Sequence, residues 1–202
     1  MRASHKSNPP KNVFIAAKTL IAIPIVHDLV RVALVQASLD PAVRAIEFIS
    51  TVAAYGKIVA LNSIIFRHDA GRQVLDIPEA RPLRAIDDEG LALLASDQLG
   101  LSTLTLTGDD LKRQPLASNT STVWACRHTP IRANDRVRAL QALSDDGPMQ
   151  LGRLSAELRW SIDPVGAVLS LACLDLIELD LVSIPLGPET IVRRRVPEGE
   201  NR

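Results

Sequence analysis

The sequence predicts an α/β domain built on a mixed sheet, followed by a smaller domain of three helices and a β-hairpin. Two patterns and one compositional fact predict this. Residues 25–107 run helix, three strands, helix, strand, the order of a mixed α/β sheet. Residues 131–196 run three helical segments and then two β-like segments. The 202 residues are 47% hydrophobic but only 3% aromatic. The core is therefore built from Leu, Ile, Val and Ala.

In the first domain Ile25–Ser38 carries apolar residues at helical spacing: Val26, Leu29, Val30, Ala33, Leu34 and Ala37. Asp40-Pro41 stops that helix. Val43–Ile49, Ile58–Arg67 and Arg72–Ile77 read as strands. His68-Asp69-Ala70-Gly71 between the last two is a hairpin turn whose glycine can take positive φ. Pro78 and Pro82 end the sheet segment. Ile86–Leu99 fits a helix with acids in its first turn, where the macrodipole favours them, and Gly100 is its stop. Leu101–Thr107 is a short strand, and Gly108–Arg113 has the length of one helical turn.

Asn119–Ala133 reads as a polar linker containing Pro130, with the linker proper at residues 119–130. Asn134 is a candidate N-cap for a helix over Asp135–Leu143. Leu151–Arg159 makes a second helix. Asp163-Pro164, an N-cap and first-turn proline, opens a third and more apolar helix over Val165–Leu176. Ile177–Ile184 and Thr190–Val196 are strands flanking a turn at Leu186–Glu189. Three helices and a hairpin in this order are winged-helix-like. The expected organisation is a mobile arm at 1–12, an α/β domain at 13–118, the linker, a winged-helix-like domain at 131–196, and a tail at 197–202.

Twenty-three basic and 23 acidic residues balance to a formal net charge of zero. This argues against a protein that coats nucleic acid by charge alone and leaves room for a local basic patch. The two cysteines, Cys126 and Cys173, are far apart, with no CxxC and no Cys/His cluster. Zinc and a disulfide framework are both disfavoured, and a reducing, cytoplasmic location is expected. The apolar stretch Thr19–Val26 is broken by Pro24 and is too short to span a bilayer, so no membrane association is expected.

Four pieces of the chain resemble the TnsA-type endonucleases of heteromeric transposases. Leu39-Asp40-Pro41-Ala42-Val43 is similar to the family's DPxV after its first helix. Asp69-Ala70-Gly71-Arg72 is similar to the DGR hairpin. The most specific piece is Leu99–Arg127, LGLSTLTLTGDDLKRQPLASNTSTVWACR, which resembles G…VLTxxDLRxxPLxxNxxxVW. The fourth is the winged-helix-like pattern at the C-terminus. The resemblance implies a restriction-endonuclease-like α/β fold and a role in transposition-associated DNA handling. It also implies DNA and a transposase or ATPase subunit as partners.

The family's metal site uses a Glu on the first helix, an Asp in a PDF motif, and an acidic residue or Gln followed by a Lys on the next strand. Such carboxylates hold Mg²⁺ against a phosphate, and the Lys helps activate water. By resemblance the corresponding catalytic remnant here is Asp28, Asn62 and Asp76. Asp28 stands near the Glu position, which alignment on Asp40-Pro41 also allows to fall on Val30. Asn62 or Ser63 stands at the Asp of PDF. Asp76 can replace the acidic ligand, but Pro78 stands where the Lys belongs and supplies no amine. The implied protein is degenerate and non-cleaving, with no metal or other cofactor, and would use Mg²⁺ only if the remnant were functional. Without a metal, Asp28 is a favourable first-turn acid and Asp76 an ordinary strand residue.

Nucleophilic chemistry has little support. Cys126 and His128 flank Arg127 but do not share a catalytic pattern, and Cys173 lies in an apolar run. The third C-terminal helix offers no Arg, Lys, Asn or Gln to read bases. Basic residues sit instead at Arg132, Arg136, Arg138, Arg153 and Arg159, and at Arg193-Arg194-Arg195. Arg153, Arg159, Arg193, Arg194 and Arg195 are therefore the DNA-contact candidates. The competing expectation is a protein-interaction module that docks a transposase or ATPase partner through the apolar, acidic surface near helix three. An active metal-dependent nuclease is the third.

Overall fold

The computed structural model describes residues 12–54 and 56–196. The expected N-terminal arm, apart from Asn12, and the tail at 197–202 lie outside them.

A short antiparallel ribbon of β1 (Val13–Phe14) and β2 (Ile23–Pro24), which the sequence pattern did not suggest, precedes α1 (Asp28–Leu39). His27 caps α1, its Nδ1 accepting the Leu29 N–H at 3.1 Å. The helix ends where Asp40 leaves the helical region before Pro41. Its apolar face buries Val30, Ala33, Leu34, Val35, Ala37 and Leu39.

A four-stranded mixed sheet follows, in the order β3 (Val43–Ala54), β4 (Lys57–His68), β5 (Gly71–Asp76), β6 (Ser102–Thr105). The first three strands are antiparallel and β6 is parallel to β5. The crossover that parallel pairing requires is α2 (Ile86–Gln98). Gly71 takes φ +142° in the expected hairpin turn, and Gly100 takes φ +65° where α2 stops. The chain is thus α/β with a mixed sheet. β3 runs five residues past the expected Ile49, because a small second core of Ala54, Val59 and Leu61 packs the hairpin's far end against Ala92 and Ala95 of α2. A 3₁₀ turn, Pro78–Ala80, follows β5. The single turn α3 (Gly108–Leu111) is closed by a Thr107/Asp110 capping box, and its Gly108 N–H donates to Glu79 Oε1 at 2.8 Å.

The expected linker is not one. Residues Leu116–Ala125 form α4, which buries Asn119, Thr120 and Val123. Ser, Thr and Asn are poor helix formers, and here tertiary burial overrides that propensity. Trp124 of α4 stacks on Phe14, centroids 5.2 Å apart. Asn119 holds a distant loop: Nδ2 donates to the carbonyls of Leu181 at 2.9 Å and Ile184 at 2.8 Å, and Oδ1 accepts the Leu186 N–H at 2.8 Å.

The C-terminal part comprises α5 (Ala133–Asp145), β7 (Met149–Gln150), α6 (Leu151–Glu157), α7 (Pro164–Cys173), β8 (Ile177–Leu179) and β9 (Ile191–Arg194). The strands form an antiparallel sheet in the order β7-β9-β8. Asn134 is not the N-cap expected; Arg132 occupies that position, and Asn134 lies within the first turn. Asp135, fully buried, accepts instead from Ser161 Oγ at 2.6 Å and fixes the α6–α7 connection. Asp163 does cap α7, accepting the Gly166 N–H at 2.9 Å. β8 stops five residues before the expected Ile184 because Asp180 Oδ1 accepts the N–H groups of Val182 and Ser183 and turns the chain.

One aliphatic core runs from Phe14 through α1, α4 and α7 to Val192. All of Gly166–Cys173 is buried, with α7 packed on α1, α4 and α6. The apolar length of helix three thus faces inward, while Val165 at its start and Leu174, Val182 and Ile184 near it stay exposed. Among the described residues no helix is long and apolar enough to cross a membrane.

Candidate functional site

A cleft of about 1040 Å³ opens between the end of β5, the middle of β4 and α2. Three local devices shape it. The β3–β4 pairing shifts register between Ile49 and Thr51, and Asn62 takes φ +46° in that bulge. Asn is among the few residues that adopt this conformation readily, which accounts for its place there. Pro78 fixes the start of the 3₁₀ turn and swings the chain back across the sheet edge. Arg84 then reaches under α2, donating to the Leu61 carbonyl at 2.5 Å and lying 3.6 Å from Glu89.

Asn62 and Asp76 both line this cleft; Asp28 does not. Asp28 is exposed in the first turn of α1, and the residues near it that face the cleft are Val26, just before the helix, and Val30 within it. Of the two first-helix residues considered, Val30, which has no donor atom, lines the cleft and Asp28 does not. Asp76 is held by Arg81 on both oxygens: Nε donates to Oδ1 at 3.0 Å and Nη2 to Oδ2 at 2.6 Å. Thr105 Oγ1 adds a longer contact to Oδ2 at 3.4 Å. The Asp76 carboxylate, first by hydrogen bonding and then by its charge, raises the Arg81 pKa further, so this guanidinium never releases its proton. The four positions singled out by resemblance do not make a divalent-cation site: one carboxylate already bound fork-to-fork, one amide, one valine and one proline. Among the described residues no group of three or more His, Cys, Asp or Glu is placed to hold a metal ion.

Neither a protein-family model nor a curated protein matches this chain.

The five DNA-contact candidates separate. Arg193 and Arg194 are exposed on β9, with Arg194 donating to Ser144 Oγ. Arg159 is exposed, and Arg153 is exposed but 2.8 Å from Asp146. Arg195 is different. Its side chain is 8% exposed, pairs with Asp175 at 3.3 Å and Glu178 at 2.9 Å, and donates to the carbonyls of Pro41 and Val43. It joins the two parts of the chain. Lys18 completes this junction, lying 3.3 Å from Asp175 and donating to the Asp40 carbonyl at 2.6 Å.

Sequence reasoning missed Arg81, Arg84 and Glu89 in the cleft and Lys18 at the junction. The one signal was Pro78 and Pro82 bracketing a tight reversal, which returns Arg81 to the strand end five residues after Asp76. Nothing in the sequence pairs Lys18 with Asp175 across 157 residues.

Cys126 is half-buried and Cys173 buried. Burial, first, pushes the Cys173 thiol up to about 12, and it donates to the Val123 carbonyl at 3.4 Å. Neither is an activated nucleophile.

Proposed function

We propose that this chain is a TnsA-like, restriction-endonuclease-like protein of transposition that handles DNA or a transposition partner without cutting DNA itself. The observation that carries the reading is the Arg81 guanidinium seated on both oxygens of Asp76. A guanidinium fork satisfies a carboxylate as a cation would, but it carries no water to activate.

The fold supports the family assignment. The order α1, three antiparallel strands, α2 and a parallel fourth strand is a mixed α/β sheet of the class that a restriction-endonuclease-like fold belongs to. The second part, three helices with a sheet ordered β7-β9-β8, suits a winged-helix-like domain. The most family-like stretch also finds a purpose: Asn119 clamps the loop between β8 and β9, and Val123 and Trp124 pack the join to α1 and Phe14. These residues hold the parts of the scaffold together rather than perform chemistry.

The buried α7 lacks any route into a major groove, so DNA contact falls to Arg193, Arg194, Arg153 and Arg159 on the outer face. The deciding experiment pairs two assays on the purified chain. Supercoiled plasmid with Mg²⁺ or Mn²⁺ is expected to stay intact, and labelled duplex DNA is expected to shift with a salt-dependent affinity. Metal-dependent nicking abolished by Asp76→Ala would overturn the non-cleaving reading. No shift at low salt would move the function to partner binding alone.

A further inference from the structure

We propose that the outer face of α2, with the apolar rim of the cleft beside it, docks a cationic amphipathic segment of a partner protein. The proposal goes beyond the DNA reading and does not depend on it.

The first observation is apolar exposure concentrated in one place. Leu83 is 104% exposed, Ile86 90%, Ile58 and Val26 81% each, and Leu93 64%. Val26, Ile58, Leu83 and Leu93 all line the same cleft. Isolated exposed apolar residues need no explanation, but a contiguous set around a concavity marks an interaction site.

The second observation is Gly90. It lies in mid-helix between Ile86 and Leu93, on the outward stripe at positions i, i+4 and i+7. After proline, glycine is the least favourable residue for a helix interior. A Cβ there would meet nothing within 4 Å, and its φ is not positive. Nothing inside the chain requires the missing side chain. A partner backbone that settles into the notch between Ile86 and Leu93 does require it.

The third observation selects the partner's charge. α2 carries Asp87, Asp88, Glu89 and Asp97 and no Lys or Arg. Glu89 is taken by Arg84, and Arg81, the other cation beside the cleft, is taken by Asp76. Asp87, Asp88 and Asp97 pair with no cation among the described residues. A second copy would set acid against acid across the contact, and a duplex would be repelled. A segment with apolar residues on one face and Lys or Arg on its flanks meets both requirements, as helix-in-groove recognition does.

The test uses a fluorescein-labelled 15-residue helical peptide with Leu on one face and Lys elsewhere, against the same peptide with Glu for Lys. The full chain is titrated by anisotropy, and its amide shifts are followed by NMR. The expected result is binding of the Lys peptide with shifts centred on Ile86–Leu93, and at least about tenfold weaker binding of the Glu peptide. Asp87→Asn/Asp88→Asn is expected to weaken the Lys peptide several-fold. Gly90→Leu supplies the fold control: it should raise the melting temperature through helix propensity yet abolish docking. Equal binding of both peptides, undiminished binding to Gly90→Leu, or shifts confined to the C-terminal part would overturn the proposal. So would concentration-dependent self-association that Leu93→Ser removes, which would make the face a contact between copies.

Discussion

The Arg195 guanidinium lies 3.3 Å from the Asp175 carboxylate, and Lys18 lies 3.3 Å from the same oxygen. Two cations from opposite ends of the chain thus converge on one anion. Asp175 takes φ +57° at the end of α7 to present it. The arrangement ties the α1–β3 loop to the C-terminal sheet, with the Pro41 and Val43 carbonyls accepting from Arg195.

Arg195→Ala should therefore act on stability. Removing one partner of a largely buried charge cluster leaves the others uncompensated and is expected to cost about 2–3 kcal/mol, toward the low end for such pairs because Asp175 is partly exposed. Arg193→Ala and Arg194→Ala, at exposed positions, should each stay within about 0.5 kcal/mol. Urea unfolding of the three variants checks this. If Arg195→Ala unfolds with the wild-type midpoint, the junction is not what holds the two parts together.

The same contrast separates stability from DNA contact. The Arg193→Ala/Arg194→Ala pair should weaken binding to labelled duplex and reduce the slope of log affinity against log salt by up to about two. Wild-type slope and affinity in this variant would remove β9 from the DNA interface.

Asn119→Ala deletes two donors to buried carbonyls and the acceptor of the Leu186 N–H. A loss of about 2–3 kcal/mol is expected, since each loop group is left without its partner. Amide exchange should rise first at the loop's own N–H groups, Leu186 among them. Unaltered exchange there would show that the loop holds its shape without the clamp.

Glu79 gives a pH signature. The Gly108 N–H, first, and its own backbone N–H hold its carboxyl below the ordinary value of 4.5. A carboxyl lowered in the folded state stabilises fully above the unfolded value, and that contribution disappears as pH falls through the folded value. Glu79→Gln should thus destabilise the chain at pH 7 and match wild type near pH 2. A gap in urea midpoint that stays constant from pH 7 to pH 2 would contradict the assignment.

Cys173 should be silent toward a thiol reagent in the native chain at pH 8, because its thiol is buried and pushed up to about 12. In a Cys126→Ser background, reaction should wait for unfolding by urea. Prompt native reaction would mean that α7 opens far more readily than its packing implies.

Periodicity and punctuation placed most of this fold. Leu29 to Ala37 at helical spacing, the Gly71 turn and the Asp163-Pro164 cap are local signals, and local backbone geometry obeys them, although the first helix starts at Asp28 rather than the expected Ile25 because His27 caps it. The same reasoning failed at Asn119–Ala125, whose polar residues look like a linker because their use lies in contacts some 60 residues away. It also left the first-helix ligand open between Asp28 and Val30, since a sequence does not say which helix face meets the sheet edge.

By itself, then, the sequence determined the mixed α/β class, most of the long elements and the aliphatic core, all properties of composition and short-range spacing. The tertiary structure alone decided that Arg81 occupies Asp76, that Arg195 sits at the junction against Asp175 and Glu178, and that α7 is enclosed. Each of these depends on which groups the fold brings within a few ångströms of one another. Charge pairing and burial are set by that proximity, and proximity across a long loop leaves no mark on local sequence.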